Sequence, residues 1–280
     1  MTKIRITVLV ENTAGGPDLL AEHGLAYWIE YQGRRVLFDC GQGGVLASNA
    51  YKLRVPLRES EALVLSHGHY DHTGGVAEAL KSTRSIPVYA HQAAFARKFM
   101  RNRDGTAREI GLPYFSDKAI RESSGRWIPT SQPTTVFDGL TVTGPVPRLV
   151  DFEAPGGPFF LDEACTQPDP LEDDQSLFFD TAAGIVVLLG CAHSGIINTL
   201  RYVGQLAGHR PIRAVIGGMH LIAASPERIT RTIEELQRIG VERLAPAHCT
   251  GMPATVALWN AFPDRCLTCH TGSSFKFTAE

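Results

Sequence analysis

The stretch Ala62-Leu-Val-Leu-Ser66-His67-Gly-His69-Tyr-Asp71-His72-Thr-Gly-Gly75 decides how the rest of the chain is read. An apolar run from Ala62 to Leu65 reads as a short buried strand, and Gly74-Gly75 leads into a helical pattern. Between them lie three histidines and an aspartate within six residues. Neutral imidazole is the commonest protein metal ligand, and a carboxylate adds a harder, charged oxygen. His67 and His69, two apart on an extended segment, can face one point. Asp71 and His72 follow a change of direction and can face a second point nearby. A polar loop with incidental histidines is the plain alternative, but that composition directly after a buried strand and before Gly-Gly favours a site for one or two divalent metals.

Three further histidines, His193, His220 and His248, each stand within a few residues of the end of a buried apolar run: Ile185–Leu189, Ile212–Ile216 and Val241–Leu244. In layered α/β folds, strand ends are where sites gather.

The segment Ser66–Gly75 is similar to the signature of the metallo-β-lactamase superfamily. The resemblance implies a four-layer αββα sandwich, an α/β fold, with a mono- or dinuclear metal centre in a cleft between the sheet edges. Pro246-Ala-His248-Cys249-Thr-Gly251 resembles the last ligand motif of that family, which makes His248 a ligand. Asp39-Cys40-Gly41 resembles the family's Asp-x-Gly turn, which supports the metal loop from behind, and His23-Gly24 is a second candidate for ligation or support. Gly190-Cys191-Ala192-His193 departs from the family pattern, since Cys191 stands where relatives often carry a bridging aspartate. No histidine occurs in 92–192, so His193 is the natural replacement for the family's missing ligand. Cys191 is open to three roles: bridging two metals, binding one, or packing. His220 is open to ligation, but its strand resembles the place where some superfamily nucleases hold a proton-donating histidine, which favours a general acid or a substrate contact.

The resemblance therefore implies His67, His69 and His193 around one metal and Asp71, His72 and His248 around the other. Asp71 would also orient hydroxide, and His220 would act as general acid. Zinc suits these donors, with manganese, iron, nickel and cobalt as alternatives. The segments 21–42, 66–75, 88–95, 190–200, 217–221 and 246–251 resemble one subgroup, named after dihydropterinylmethyl-ribofuranosylaminobenzene 5'-phosphate synthase. Two activities follow: metal-dependent hydrolysis of a small phosphate-containing substrate, or a synthase-type transfer that releases diphosphate. A metal-binding sensor without turnover is a third possibility. A di-iron redox protein would need more carboxylate ligands.

Length and composition bound these readings. The chain has 280 residues, enough for a substantial core, and is read as one domain over 1–280. A net charge of −2 gives no general attraction to nucleic acid or anionic membrane, so a small-molecule substrate is the expected partner. Ile4, Ile6, Val8 and Val10 alternate with polar neighbours as in a strand, without the features of a signal peptide, and no run is long enough to span a bilayer. A cytoplasmic protein with six reduced cysteines is expected, its oligomeric state undetermined by sequence. Cys266-Leu-Thr-Cys269-His270 matches a haem-attachment spacing, but packing is the expected role.

Further along, Leu25–Tyr31 with Arg35–Asp39 and Thr135–Phe137 with Leu140–Thr143 are predicted hairpins. Helices are predicted at Val45–Leu53, Val76–Lys81, His91–Arg101, Ile196–Leu206, from Pro226 to Ile239, and at Pro253–Phe262. Two stretches, about 101–133 and 144–175, lack periodicity and are expected as irregular walls of the substrate cleft. Arg101, Arg103 and Arg108 in the first are read as a solvated basic loop.

Overall fold

The structure is a computed structural model that describes residues 3–83, 85–123, 125–153 and 157–278. Ser124 and residues 154–156, inside the two stretches expected to be irregular, lie outside the described residues. The first half runs β1 (Lys3–Val10), β2 (Ala26–Tyr31), β3 (Arg34–Phe38), α1 (Leu46–Lys52), β4 (Ala62–Val64), α2 (Tyr70–Thr73), α3 (Val76–Ser82) and β5 (Val88–Ala90). Then come β6 (Phe99–Arg101), β7 (Ala107–Glu109), α4 (Tyr114–Glu122), β8 (Trp127–Pro129), β9 (Thr134–Phe137), β10 (Leu140–Val142) and β11 (Phe159–Phe160). The rest is β12 (Ser176–Thr181), β13 (Gly184–Leu189), α5 (Ile196–Leu206), β14 (Ile212–Gly218), α6 (Pro226–Ile239), β15 (Leu244–Ala247), α7 (Met252–Ala261) and β16 (Ser274–Thr278).

Two sheets form the centre, in the orders β16-β1-β2-β3-β4-β5-β8 and β15-β14-β13-β12-β10-β9. The side-chain period of two sorts each strand between two cores. Ile4, Ile6 and Val8, with Tyr27 and Ile29, join Val186, Leu188 and Ile216 of the other sheet in the cluster between the sheets. The opposite faces bury Trp28, Leu37 and Leu63 against Leu46, Val76 and Ala79 of α1 and α3, and Ile185, Val187 and Leu189 against α5, α6 and α7. That is the α/β sandwich of four layers, αββα. Strands β13, β14 and β15 pair in parallel, as do β3, β4 and β5, so their C-terminal ends gather at one end of the sandwich.

Local signals act as expected at several ends. Gln32 and Gly33 take positive φ of 49° and 82°, the pair of conformations a two-residue hairpin turn requires. Ser225 caps α6 by accepting from the Arg228 N–H, Pro226 opens the helix, and Gly240 closes it in the left-handed region.

Three expectations are corrected. Residues 91–101 are not a helix: a single 3-10 turn over Gln92–Phe95 gives way to β6, which pairs with β7 and β11 in a small third sheet. Alanine-rich propensity there yields to distant strand pairing and to burial of Lys98. Residues 101–133 are not an irregular wall throughout, since β7, α4 and β8 lie within them, and α4 buries Ile120 against the α3 side. The strand expected at Val241–Leu244 begins only at Leu244, and β16, which pairs with β1, had no counterpart in the sequence reading.

Candidate metal centre

The short strand β4 delivers the histidine loop, and its sequence explains the geometry. Gly68 is bare because a Cβ there would lie 2.3 Å from the Ala94 carbonyl oxygen, so only glycine lets His67 and His69 converge. His67 Nε2 stands 3.0 Å from His69 Nδ1 and 3.3 Å from His193 Nε2. The single turn α2 carries Asp71 and His72 to a second cluster. There His72 Nε2 lies 3.3 Å from His248 Nε2, and Asp71 Oδ2 lies 3.2 Å from His248 Nε2 and 3.8 Å from His72 Nε2. Cys191 Sγ sits 3.1 Å from His72 Nε2, between the clusters. Every residue expected from the sequence as a ligand is thus brought to one end of the sandwich.

The hydrogen bonds behind the rings determine which nitrogens face inward. Asp39 Oδ2 accepts from His72 Nδ1 at 2.7 Å and from Ser66 Oγ at 2.7 Å. With its only hydrogen given to Asp39, the Ser66 hydroxyl accepts from His67 Nδ1 at 2.9 Å. Asn12 Oδ1 accepts from His248 Nδ1 at 2.8 Å. His67, His72 and His248 therefore turn their Nε2 atoms inward, toward one another.

The spacing fits a small divalent ion. Metal–nitrogen bonds of about 2.0–2.1 Å in a tetrahedron place ligand atoms about 3.3 Å apart. The donor separations in both clusters, 3.0 to 3.8 Å, lie around that value. His67, His69 and His193 form one three-donor set and His67, His72 and Cys191 another, while His23, Asp71 and His248 form a further one at the rim. His23 is exposed, with its Nε2 3.2 Å from Asp71 Oδ2.

Burial and charge act in opposite directions on the two halves. Burial, aided by repulsion from neighbouring imidazoles, holds His67 and His193 far below the ordinary imidazole value, and burial brings His69 down to about 3. Those three rings are neutral, the form in which an imidazole can bind a metal. Burial also opposes charge on His72, but the Asp39 and Asp71 carboxylates outweigh it and raise His72 to about 9. Asp71 is held well below the usual carboxylate range: burial opposes its ionisation, but His72, His23 and His248 prevail.

Backbone strain gathers here. Asp39, Ala192, His220 and His248 all have positive φ, between 46° and 58°. Such conformations cost about 1–3 kcal/mol each and persist where the surroundings enforce them.

Above the clusters lies a cavity of about 200 Å³ lined by His69, Tyr70, Asp71, Met100, Arg108, Ile110, Phe159, His193, His220, Ile222, His248 and the two cysteines Cys191 and Cys249. The His220 ring lies 4.2 Å from that of His193, and Phe159 packs against His69, His193 and His220. Of the three arginines, Arg108 reaches the cavity rim over the Tyr70 ring, whereas Arg101 binds the Cys165 carbonyl and stacks on Phe160.

Sequence reading missed several residues that build this site. Glu11 and Asn12 anchor His248, accepting from its backbone N–H and its ring. Buried Lys98 bridges Asp169 and Asp173, and Asp173 accepts the Gly68 N–H at 2.7 Å. Asp174 accepts from the Ser194 N–H, and Gln175 donates to the Leu65 carbonyl, so the end of the 144–175 stretch is fastened to both ligand loops. The only local signal was the acidic run Glu172-Asp173-Asp174, which reads equally well as a solvated loop.

Comparison with known proteins agrees with this architecture. The family model of the metallo-beta-lactamase superfamily matches residues 20–248. The chain is 30% identical over 289 residues to the 7,8-dihydropterin-6-methyl-4-(beta-D-ribofuranosyl)-aminobenzene-5'-phosphate synthase of Methanocaldococcus jannaschii, covering 98% of this chain and 97% of that protein. An uncharacterized protein of the same organism is 32% identical over 254 residues, covering 90% and 93%. A solved structure described as a metal-dependent hydrolase of the beta-lactamase superfamily superimposes with a TM-score of 0.83 at 28% identity, over 97% of this chain and 98% of that one. Fold, donor clusters and relatives together make the chain an enzyme that belongs to the metallo-β-lactamase superfamily.

Proposed function

We propose that the chain is a metal-dependent hydrolase that activates water at a dinuclear centre and acts on a small phosphate-containing substrate. The observation that carries this reading is the pair of adjoining donor clusters with inward-facing ring nitrogens and ion-sized spacing. His67, His69 and His193 would hold one ion, and Asp71, His72 and His248 the other, with zinc the ion that best suits imidazole and carboxylate donors. When bound, such ions supply Lewis acidity and a hydroxide at neutral pH, because coordination lowers the pKa of water from about 15.7 toward about 7.

The protein's own groups do the rest. Asp39, Ser66 and Asn12 lock the imidazole tautomers. Asp71, held ionised, accepts a hydrogen bond from the attacking water and aims its lone pair at the substrate. His220 faces the cavity beside His193 and gives a proton to the departing oxygen. Phe159, Ile110 and Met100 exclude bulk water, and Arg108 at the rim meets an incoming anion.

A second reading is a transferase of the synthase type, in which the nucleophile of a second substrate replaces water and diphosphate departs. The similarity to the archaeal synthase over 98% of the chain favours it, as do the aromatic and aliphatic cavity walls.

The test is metal content by elemental analysis on wild type, His69→Ala and His248→Ala, with hydrolysis of phosphomonoester and phosphodiester dyes. About two ions in wild type, losses in both variants, and activity that tracks metal support the hydrolase. Metal without hydrolysis, together with diphosphate release from a pterin diphosphate and an aminobenzene riboside phosphate, supports the transferase. No metal after reconstitution sinks both.

A further inference from the structure

Of the buried cysteines, Cys191 and Cys249 line the cavity, whereas Cys40, Cys165 and Cys266 do not. Cys40 and Cys266 pack inside the apolar clusters between helices and sheets. Cys191 and Cys249 belong to none of those clusters and line the cavity instead. Their sulfurs lie within 4.8 Å of each other and of a ring nitrogen of His248, forming one donor set. Cys191 recurs in two more, with His67 and His72 and with His193 and His220. It is therefore the donor shared between the two imidazole clusters.

The backbone makes room for this pair. Gly218 closes β14 beside the ends of β13 and β15, and a Cβ there would lie 2.6 Å from Cys249 Sγ and 2.4 Å from the Gly190 carbonyl oxygen. A bare position at 218 lets the Cys249 sulfur reach the Cys191 loop, where it lies 3.5 Å from the Cys191 carbonyl. The left-handed φ of 50° at His248 turns the chain so that His248 and Cys249 both point at the centre. Three parallel strand ends thus converge on two sulfurs, an arrangement a purely apolar packing role does not require.

We propose that both cysteines would hold the centre as sulfur ligands, Cys191 from its place beside both imidazole clusters and Cys249 from the His248 side. The inference rests on the metal-centre reading above and adds its ligand class: the centre selects a thiophilic divalent ion over manganese or magnesium. Each thiol releases one proton as its sulfur–metal bond forms, so uptake of the ion is proton-coupled.

X-ray absorption at the zinc edge tests this on zinc-loaded wild type and on Cys191→Ser, Cys249→Ser and, as a control, Cys269→Ser. The expected wild-type spectrum has a sulfur shell at about 2.3 Å beside nitrogen and oxygen at about 2.0–2.1 Å. That shell falls furthest in Cys191→Ser, falls partly in Cys249→Ser, and is unchanged in Cys269→Ser. Cobalt(II)-loaded wild type should show a thiolate-to-cobalt charge-transfer band in the near ultraviolet that weakens in the same order. Zinc bound with only nitrogen and oxygen neighbours in the wild type overturns the sulfur assignment and leaves the dinuclear reading standing. An unchanged sulfur shell in Cys249→Ser overturns the assignment of Cys249. A wild-type chain that takes up neither zinc nor cobalt overturns both this inference and the metal-centre reading.

Discussion

Asp39 carries more of the site than any single candidate ligand, because one buried carboxylate orients two rings. It accepts directly from His72 and, through the Ser66 hydroxyl, sets the tautomer of His67. Its removal frees both rings, and partners of this kind are typically worth about 10–100-fold in metal affinity. Asp39→Ala should therefore bind zinc about 10–100-fold more weakly, measured by competition with a chromophoric chelator. Affinity equal to wild type would mean the rings are held by packing alone. His220 calls for the opposite pattern. If it protonates the leaving group, His220→Gln keeps its metal and loses about 10²–10⁴-fold in kcat. Loss of metal instead would make His220 a ligand.

Helix α5 shows how an element depends on a distant stretch. The helix starts after Gly195 with no side-chain cap of its own. Glu153 takes that role from the 144–175 stretch, accepting from the Ile197 and Asn198 N–H groups at 2.9 and 2.8 Å. Burial raises the Glu153 pKa, although these two N–H groups partly counter it. Glu153→Ala leaves both donors buried and unpaired, at a cost of about 1–2 kcal/mol by analogy with lost N-caps. Urea unfolding should read that loss, and because His193 stands just before α5, weaker metal retention should accompany it. Conversely, a stretch that merely drapes over the site would leave both unchanged. The H-x-H loop is the second such element. Gly68→Ala cannot be accommodated against the Ala94 carbonyl, and the displaced loop should lose the ion proposed for His67, His69 and His193 while the other proposed ion stays. Elemental analysis near one ion per chain would be the expected result.

At the scale of the whole molecule, the Lys98–Asp169–Asp173 cluster ties the third sheet and the 157–175 segment to the metal loop. Lys98 is only 1% exposed, so its charge is tolerable only because two carboxylates surround it. Burial opposes ionisation of both Lys98 and Asp173, but their mutual attraction wins, so Asp173 is depressed and Lys98 raised. A depressed carboxylate stabilises the fold above its unfolded pKa near ~3.9, and that stability is lost as pH falls through the folded value. A raised lysine stabilises below ~10.4 and loses its contribution as pH rises through the folded value. The cluster should hold between those limits. Lys98→Met strands two buried carboxylates, and it should cost about 3–5 kcal/mol at neutral pH. The gap to wild type should narrow toward pH ~4 as Asp173, stripped of its lysine, takes up a proton, measured by urea titration at both pH values. A gap independent of pH would show that lost packing, not charge, sets the cost. Among the described residues no helix is long and apolar enough to cross a membrane.

The sequence by itself determined what is local. The buried run Ala62–Leu65, the H-x-H-x-D-H pattern, the alternation in β1 and the caps of α6 are each written in contiguous side chains, because strand and helix periods and ligand spacing are short-range properties. The αββα class was legible for that reason, helped by resemblance to a known signature, and so were the six candidate donors that the fold brings to one end of the sandwich. Only the tertiary structure decided the rest. Asn12 and His248 meet across 236 residues of chain, and Gly68 and Asp173 across 105. Phe99–Arg101 is strand rather than helix because β7 and β11 offer it edges, and Ser274–Thr278 is strand because β1 does. Hydrogen-bond partners behind the rings, the walls of the cavity and the meeting of Cys191 with Cys249 all depend on which strand ends are neighbours in space. That adjacency follows from sheet order, which no short stretch of this sequence contains.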